Sequence, residues 1–330
     1  MKISEIIPLF EQLKTKKVYV IGDFIIDHNR IVRAKRLSPE APIPVVEPEI
    51  DEFRIGGAGN VAQNLKALGV GKVELVTVIG PSNYKQSLFD EPSKKLLGSS
   101  MLVFEAGRLT TIKERVLSRR PNQQIVRIDT QSNKPIKPKS AKLLINMIEA
   151  SAIPDAIVFS DYAHGVCVPL VIKAAMSFAT KNSIPTVVDS KAKDTLDKYI
   201  GATVAIPNLD EAKAILGIDE TDEKKVAIQL REVLKLQAAA VTLGAKGVML
   251  ATIEGTKHYH VLNTNPQQEV VDVTGAGDTV AAIVAIGLIL KLSYDDIFRL
   301  ANVAAGVKVQ KRGVATVSIQ EIASAGLLYD

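Results

Sequence analysis

Residues 271–279 read VDVTGAGDT, and this stretch opens with β-branched residues that favour an extended chain. It then reaches Gly275 and Gly277, which are separated by Ala276 alone. Residues 280–290, VAAIVAIGLIL, follow directly and are apolar on every side, which predicts a buried helix. The sequence therefore predicts a glycine-rich turn that leads into a buried helix.

A glycine-rich turn at the start of a helix leaves several backbone N–H groups unpaired and aimed at one place. Together with the helix dipole, these groups form an anion site at Gly275, Ala276 and Gly277. Asp278 stands at the mouth of this site, where its charge would repel a bound phosphate. The pattern makes chemical sense if Asp278 takes a proton from an attacking hydroxyl while the N–H groups stabilise a transferring phosphoryl group.

Two other interpretations of this stretch remain open from the residues alone. Aspartate is a favoured helix N-cap, so Asp278 could serve the helix and nothing else. A dinucleotide site of the Rossmann type also uses glycines before a helix, but its third glycine is absent here and the motif lies near the C-terminus.

The composition is that of an ordinary globular protein with a large core, since 47% of the 330 residues are hydrophobic and 23% are charged. The net charge of +5 comes from scattered Lys and Arg residues, which favours anionic small molecules over nucleic acid as ligands. Cys167 is the sole cysteine, which predicts a buried thiol in a reducing compartment. Residues 280–290 are too short to span a bilayer, and residues 1–5 do not resemble a signal peptide. We therefore expect a cytoplasmic protein that binds no membrane.

Predicted helices and strands alternate from residue 140 onward. The predicted helices cover 140–151, 168–182 and 223–236, and the predicted strands cover 156–161, 185–189, 203–206 and 239–244, after earlier strands at 18–23 and 74–80. This alternation predicts an α/β fold with a doubly wound, mostly parallel central sheet and helices on both faces. We expect a single domain over residues 1–330.

Two segments depart from this rhythm and predict a small β lid. Residues 30–56 place four prolines between β-branched runs, which suggests short, edge-like strands outside the main sheet. Residues 102–129 contain alternating apolar and polar positions, which is typical of half-exposed strands. The exposed face of such a lid would suit dimerisation, so we expect a homodimer.

Polar residues recur where the predicted strands end, and in a parallel sheet these ends meet at one crevice. They are Asp23, Asp161, Asp189, Asn208, Glu211 and Thr242, followed by the 271–279 stretch. Asp23 and the nearby Asp27 could accept hydrogen bonds from sugar hydroxyls or stabilise a turn. Asp210 and Glu211 are candidates for Mg²⁺ held mostly through water and substrate phosphates, or are simply the acids favoured in a first helical turn.

Two further glycine-containing stretches are candidates for ligand binding. Residues 56–60, GGAGN, precede a predicted helix, and their glycines allow a ligand to approach the backbone closely, although a plain connector is the alternative. Residues 242–247, TLGAKG, form a tight turn that passes beneath a nucleotide or is only a hairpin.

The two glycine motifs at 56–60 and 272–279 together resemble those of the ribokinase-like (PfkB-type) carbohydrate kinases, and the resemblance covers nearly the whole chain. It implies a kinase that uses ATP and Mg²⁺, with Asp278 as catalytic base and Gly275, Ala276 and Gly277 as anion hole. It leaves the need for a monovalent cation open. The nucleotide-binding residues that it implies are Asn208, Leu209, Asp210, Glu211 (with Mg²⁺), Thr242, Gly244, Gly247 and Asn302.

A closer resemblance, to the D-glycero-β-D-manno-heptose 7-phosphate kinases, rests on residues 36–46, RLSPEAPIPVV, and on 122–124, 127–129 and 160–162. It implies transfer to the C1 hydroxyl of the heptose 7-phosphate, on the route to ADP-heptose. Cations would bind the phosphate remote from that hydroxyl. The substrate-binding residues that it implies are Asp27, Arg36, Gly56, Gly57, Asn60, Arg115, Asp189 and Lys191.

The sequence also departs from this pattern on the substrate side. Gly59 replaces a more usual Ala, Ser190 stands where Pro is common, and residues 120–121 look like an insertion. A kinase for another sugar, such as fructose, ribose or their phosphates, therefore stays open. So does a catalytically inactive sensor of nucleotide or sugar, although such a sensor has no need of Asp278. Because nothing follows Asp330, we expect the kinase alone, without the nucleotidyltransferase domain of bifunctional members.

Overall fold

The computed structural model describes residues 1–81, 83, 85, 89–119, 123–191, 196–260 and 270–327. The strands in these ranges are β1 (Lys17–Gly22), β2 (Phe24–Leu37), β3 (Pro44–Gly57), β4 (Lys72–Ile79), β5 (Met101–Phe104), β6 (Thr111–Ser118), β7 (Gln124–Thr130), β8 (Ala156–Asp161), β9 (Thr186–Ser190), β10 (Val204–Ala205), β11 (Ala238–Thr242), β12 (Val248–Thr252) and β13 (Gly255–Tyr259). The α-helices are α1 (Ile3–Ile6), α2 (Ala58–Ala67), α3 (Glu91–Gly98), α4 (Pro138–Ala150), α5 (Pro169–Lys181), α6 (Leu209–Leu216), α7 (Glu223–Val233), α8 (Ala276–Ile289), α9 (Tyr294–Lys308) and α10 (Ile319–Gly326).

The main sheet has the strand order β13-β12-β11-β10-β9-β8-β1-β4-β5. All neighbouring strands from β11 to β5 run parallel, and β12 and β13 are added at one edge as antiparallel strands. Strand order reverses between β1 and β8, because the chain builds outward from β1 in one direction and later returns to build in the other. Ligands of open α/β sheets bind at such a reversal point, beyond the carboxyl ends of the strands.

Helices cover both faces of the main sheet, and β1 shows why. Val18 and Val20 point to the layer of α2, α8 and α9, whereas Tyr19 and Ile21 point to the layer of α4, α5 and α7. Because both faces are covered, every residue of β1 is buried, and its residues 18–21 are hydrophobic in an unbroken run rather than alternating with polar ones. The predicted mostly parallel α/β fold with helices on both faces is confirmed.

Helix α8 is the buried helix that the 280–290 segment predicts. Every residue from Asp278 to Gly287 is buried, so the helix lies inside the protein rather than on its surface. Cys167 is also buried, as predicted. Among the helices that the structure describes, none is both long and apolar enough to cross a membrane.

The second sheet has the strand order β3-β2-β6-β7 and forms the small β lid that accompanies the main sheet. Its strands β2 and β3 are 14 residues long each, rather than the short strands expected from the prolines. Pro44 and Pro48 are tolerated because β3 is an edge strand, where a missing N–H removes no bond that the sheet needs, and Pro39 and Pro42 lie in the connection between β2 and β3. Pro48 lies beside a register shift between Ile31 and Val32.

Strand β5 belongs to the main sheet and not to the lid, although its residues fall in the expected lid segment 102–129. It pairs parallel with β4 at the edge of the main sheet. Its four residues, Met101 to Phe104, are all apolar, so β5 does not carry the alternation of apolar and polar residues expected of the lid segment. The alternation alone therefore could not assign β5 to a sheet.

Candidate active site

The turn before α8 places Asp278 inside the protein at the helix N-terminus. Gly275 is the N-cap and has a left-handed backbone with φ of +80°, so Asp278 itself is not the cap. Its side chain lies in the first helical turn and the residue is 2% exposed. The interpretation of Asp278 as a plain N-cap is therefore wrong, and the glycine conformation at 275 is what turns the chain into α8.

The Asp278 carboxylate is held from two sides. Asn60 Nδ2 donates to its Oδ2 at 2.6 Å, and the Tyr162 hydroxyl donates to its Oδ1 at 2.8 Å. Burial raises the pKa of Asp278, although these two hydrogen bonds and the charge of Lys191 act to lower it. A fixed carboxylate with a raised pKa is a better proton acceptor than an exposed one.

Asn60 belongs to a buried chain of side chains that joins α2 to α8. Asn64 Nδ2 donates to the backbone oxygen of Asn60 at 2.9 Å, and Thr279 Oγ1 donates to Asn64 Oδ1 at 3.2 Å. The sequence placed Asn60 among the substrate-binding residues, whereas the structure shows its amide committed to Asp278. Asn60 therefore positions the carboxylate.

The glycines of the 56–60 motif make room for another carboxylate. A Cβ atom on Gly56 would lie 2.0 Å from Asp27 Oδ2, and one on Gly57, whose φ is +58°, would lie 2.5 Å from the backbone oxygen of Asp23. Asp27 is 6% exposed, and Arg115 donates to its Oδ1. The motif thus lets β2 and β3 pack closely around Asp27.

Asp189, at the end of β9, is a buried acid close to the glycine turn. It is 5% exposed, and its Oδ2 has no hydrogen-bond partner among the described residues. Burial raises its pKa to about 7; the charges of Asp278 and Glu211 add to this effect, and that of Lys191 opposes it. A Cβ atom on Gly277 would lie 3.9 Å from Asp189 Oδ2, which places this acid next to the predicted anion hole.

Three cations, Lys113, Arg115 and Lys191, form what we call the cation cluster. Lys113 Nζ lies 5.4 Å and Lys191 Nζ 4.7 Å from the centroid of the Tyr162 ring, and Arg115 pairs with Asp27. Burial lowers the pKa of Lys113, and the charge of Asp27 opposes this shift. Tyr162 therefore contacts Asp278 through its hydroxyl and two cations through its ring.

Lys113 and Tyr162 are site residues that the sequence motifs do not predict. Lys113 stands two residues before Arg115 on β6, so strand periodicity alone places both on one face. Tyr162 belongs to residues 160–162, which contribute to the family resemblance. Its contact with Asp278 joins residues 116 positions apart in the chain, which no local pattern predicts.

The predicted nucleotide-binding residues cluster at the ends of β10 and β11. Asn208 caps α6 in a reciprocal capping box, in which it and Glu211 each accept the other's backbone N–H at 2.8 Å. Leu209 and Asp210 complete this first turn, and Asn208 bridges to Thr242. The first-turn interpretation of Glu211 is therefore correct, and it leaves the carboxylate rigidly oriented at a helix N-terminus.

The 242–247 stretch is a hairpin turn between β11 and β12. Gly244 and Gly247 both have positive φ, +58° and +102°, which glycine adopts without strain. Asn302, on α9, is 6% exposed and donates from Nδ2 to the backbone oxygen of His260 at 2.9 Å. Asn302 therefore ties α9 to the end of β13.

Some predicted residues lie elsewhere. Arg36 is exposed and follows Asp27 by nine residues on β2, about 30 Å along an extended strand, so it does not join the cation cluster within this chain. Residues 120–122 fall outside the described ranges. Asp23 accepts backbone N–H groups of Tyr162, His164 and Val166, so it shapes the loop that carries Tyr162.

No group of three or more His, Cys, Asp or Glu side chains in the described ranges is arranged to hold a metal ion. The charge of Glu211 nevertheless acts on both Asp189 and Lys191, so its carboxylate faces the same crevice. A single oriented carboxylate fits a Mg²⁺ ion that keeps most of its waters and binds substrate phosphates.

Known proteins are similar to this chain in sequence and in fold. A family model described as pfkB family carbohydrate kinase matches residues 15–321. The bifunctional protein HldE of Geobacter sulfurreducens is 39% identical over 326 residues, which is 98% of this chain and 65% of that protein. HldE of Aliarcobacter butzleri is 35% identical over 313 residues, 94% of this chain and 64% of that protein. The chain thus spans just under two thirds of the length of these relatives.

Solved structures with the same fold are more distant in sequence. Phosphofructokinase-2 from Escherichia coli, in complex with substrates and products, has a TM-score of 0.73 at 17% identity and covers 95% of this chain and 99% of its own. Ribokinase from Arabidopsis thaliana, complexed with ribose and ATP, has a TM-score of 0.68 at 17% identity and covers 94% and 98%. Because the family model matches residues 15–321, the chain belongs to the PfkB family of carbohydrate kinases.

Proposed function

We propose that this chain transfers the γ-phosphoryl group of ATP to the C1 hydroxyl of D-glycero-D-manno-heptose 7-phosphate and releases the 1,7-bisphosphate. The observation that carries the proposal is the position of Tyr162 between Asp278 and the cation cluster. A proton acceptor and a phosphate-binding group are thus one tyrosine side chain apart. A sugar with a reactive hydroxyl at one end and a phosphate at the other fits that arrangement.

The chemistry follows from the charges at the turn. Asp278 takes the proton of the sugar hydroxyl while the hydroxyl oxygen attacks the γ-phosphorus in line. The bond between the γ-phosphorus and the oxygen that bridges it to the β-phosphate breaks, and ADP leaves. The N–H groups of Gly275 and Gly277 stabilise the negative charge on the transferring group, whereas the Ala276 N–H already donates to the backbone oxygen of Val273 at 3.2 Å. Mg²⁺, oriented by Glu211, would neutralise charge on the nucleotide phosphates.

The nucleotide would lie along the ends of β10 and β11. In this proposal its phosphates approach Asn208 and the first turn of α6, Leu209 to Glu211. The ribose and adenine pass over Thr242 and the hairpin turn at Gly244 and Gly247, toward Asn302. Asp27 and Asp189 would bind hydroxyls of the sugar between the nucleotide and the cation cluster.

The heptose assignment is supported by the resemblance of residues 36–46 to heptose 7-phosphate kinases and by the identity to the HldE proteins. Because the chain matches only part of those bifunctional relatives, a place on the route to ADP-heptose is part of the proposal. The cation cluster favours a phosphorylated sugar over free ribose or fructose.

A coupled assay of ADP release with Mg·ATP tests the proposal. The panel contains D-glycero-D-manno-heptose 7-phosphate, sedoheptulose 7-phosphate, fructose phosphates, fructose and ribose. We expect a strong preference for the heptose 7-phosphate, with the product phosphorylated at C1. Turnover restricted to an unphosphorylated sugar would refute the heptose assignment and keep the kinase, whereas ATP binding without turnover on any sugar would favour a sensor.

Replacing Lys113 by Met is expected to raise KM for the sugar phosphate about ten- to hundredfold, because one charge-assisted contact to its phosphate is lost. KM for ATP should stay within about twofold, since Lys113 pairs in register with Asp27 on the lid sheet, where this proposal places the sugar and not the nucleotide. Steady-state kinetics measure both constants. Lys139→Met, at an exposed position on α4, is the matched control. An unchanged KM for the sugar phosphate would remove Lys113 from the substrate site.

We further propose that two copies associate through the lid. Strand β7 is exposed along Gln124–Ile128, and apolar residues lie open on this sheet. They are Leu37, Ile50, Ile125, Val126 and Ile128, and Ile43 is exposed in the connection between β2 and β3. Val126 and Ile128 share one face of β7, and exposed apolar side chains on one face favour an interaction site.

Replacing Ile128 by Asp is therefore expected to convert the dimer to a monomer, because a carboxylate would be buried against apolar surface. Light scattering after size-exclusion chromatography measures the mass of each variant. Ile253→Asp, at a residue that is 86% exposed in the β12–β13 turn, should leave the dimer intact. A monomeric wild type, or a dimer that survives the Ile128 change, would exclude this interface.

A further inference from the structure

Lys308, the last residue of α9, is a buried cation that the proposed mechanism does not use. Its exposed fraction is 0%, and its Nζ donates to the backbone oxygen of Lys311 at 3.4 Å. Lysine is almost never fully buried, because taking an ammonium group out of water is costly unless nearby charges compensate. The surroundings of Lys308 therefore have to explain why the charge is kept.

Those surroundings are the turn that forms the predicted anion hole. A Cβ atom on Gly275 would lie 3.6 Å from Lys308 Cε and equally 3.6 Å from Asp278 Oδ2. The Lys308 side chain thus runs directly against the backbone of the turn, and its charge acts on both Asp272 and Asp278.

Asp272 links this cation to the shape of the turn. Its Oδ1 accepts the Thr274 N–H and its Oδ2 accepts the Gly313 N–H, both at 2.8 Å. Burial would raise the pKa of Asp272, but these bonds and the charge of Lys308 together hold it below the ordinary value. The ionised Asp272 thus fixes the Thr274 N–H at the start of the turn, and the charge of the Lys308 ammonium favours that ionised form.

We propose that Lys308 is the resident cation of the phosphoryl-transfer site, where its ammonium holds the 272–277 turn and offsets negative charge that develops in the anion hole. The inference rests on the proposed phosphoryl transfer and names a positioning residue for it. It also answers the question of a monovalent cation, because the side chain itself supplies a fixed unit positive charge beside Gly275. A bound monovalent cation is then superfluous.

The charges that face Lys308 give the proposal a pH signature. Asp272 and Asp278 favour its charged form, whereas Lys311 and Arg54 disfavour it. Burial is the largest effect and lowers the pKa of Lys308 below that of an exposed lysine. Loss of this proton should therefore reduce kcat at alkaline pH, below the pH at which exposed lysines titrate.

The test compares Lys308→Met, Lys308→Ala and the control Lys311→Met, using the sugar that gives the highest turnover in the substrate panel. In Lys308→Met, which keeps the length and removes the charge, we expect kcat to fall about ten- to hundredfold with little change in KM for the sugar. Its alkaline decline in kcat should disappear. Wild type should show equal rates in potassium chloride and tetramethylammonium chloride, because it needs no added cation.

Lys308→Ala supplies a readout that does not depend on turnover. Its cavity, bordered by Asp272 and the Lys311 carbonyl, should accept a small cation, so potassium or ammonium chloride should raise its melting temperature relative to tetramethylammonium chloride. Wild type should show no such difference. A Lys308→Met enzyme with wild-type kcat and an unchanged alkaline limb would overturn the proposal, as would a potassium requirement in wild type. A wild type inactive on every sugar would refute the kinase proposal instead, and the melting temperatures would still decide whether position 308 is a cation site.

Discussion

Replacing Asp278 by Asn is expected to lower kcat about a thousandfold while the affinity for ATP changes by less than about threefold. The variant keeps the size of the side chain and removes the proton acceptor. Asp278 accepts hydrogen bonds from Asn60 and Tyr162, which lie on the sugar side and not in the α6 turn where the nucleotide is placed. Binding of nucleotide should therefore survive the loss of the base.

Single-turnover kinetics and calorimetric titration with ATP separate these two effects. Asp219→Asn, at an exposed position after α6, is the matched control and should leave kcat unchanged. A kcat within tenfold of wild type for Asp278→Asn would exclude Asp278 as the base, wherever the substitution left the fold intact.

The pH dependence offers an independent check of the same role. Asp278 must be ionised to accept a proton, and its pKa lies above the ordinary carboxyl value of 3.8 because the group is buried. kcat/KM should thus decline as pH falls through that raised pKa. The Tyr162 hydroxyl stabilises the ionised form of Asp278 and so lowers its pKa. In Tyr162→Phe that pKa should rise, and the decline of kcat/KM at acid pH should begin at a higher pH.

The sequence predicted those parts of the site that depend on local order. The turn at 275–277, the buried helix after it, and the first turn of α6 each follow from residues that are neighbours in the chain. Alternating helices and strands likewise predicted the main sheet, since each βα unit carries its own periodicity. Convergence of strand ends then predicted that Asp189, Asn208 and Thr242 would share one crevice.

Two kinds of feature could not be predicted: contacts between segments distant in the chain, and the sheet to which a strand belongs when its residues fit either sheet. Asn60 was grouped with the substrate residues because a glycine loop suggested a ligand, and only its 2.6 Å contact with Asp278 shows what its amide binds. Lys308 is the last residue of α9, which also carries Asp295, Asp296 and Arg299, and sequence alone would assign its charge to solvent. Strand β5 could not be assigned because its four residues are all apolar and show no alternation.

Gly275 affects both the stability of the fold and the catalytic site. Gly275→Ala is expected to lower kcat about a hundredfold and the free energy of unfolding by about 1–2 kcal/mol. The stability loss comes from a side chain at φ of +80°. The loss of kcat has a different cause, because the new Cβ would lie 2.7 Å from Asn60 Nδ2. The buried Asn60 amide has to shift to admit this atom, and in shifting it releases Asp278.

Gly217→Ala separates these two causes. Gly217 ends α6 with φ of +64°, and a Cβ atom there would meet nothing within 4 Å. This control should lose similar stability in urea denaturation and keep its kcat, because it introduces backbone strain without touching Asn60. Equal losses of kcat in both variants would mean that strain alone, and not displacement of Asn60, disables the site.

A double-mutant cycle with Asn60→Ala completes the argument. If Gly275→Ala acts on catalysis through Asn60, the two changes remove the same interaction, and kcat of the double variant should match that of Asn60→Ala alone. Additive losses would instead show that the glycine turn contributes to transfer through its own N–H groups. The cycle thus measures how much of the rate depends on holding Asp278 in place and how much on the shape of the anion hole.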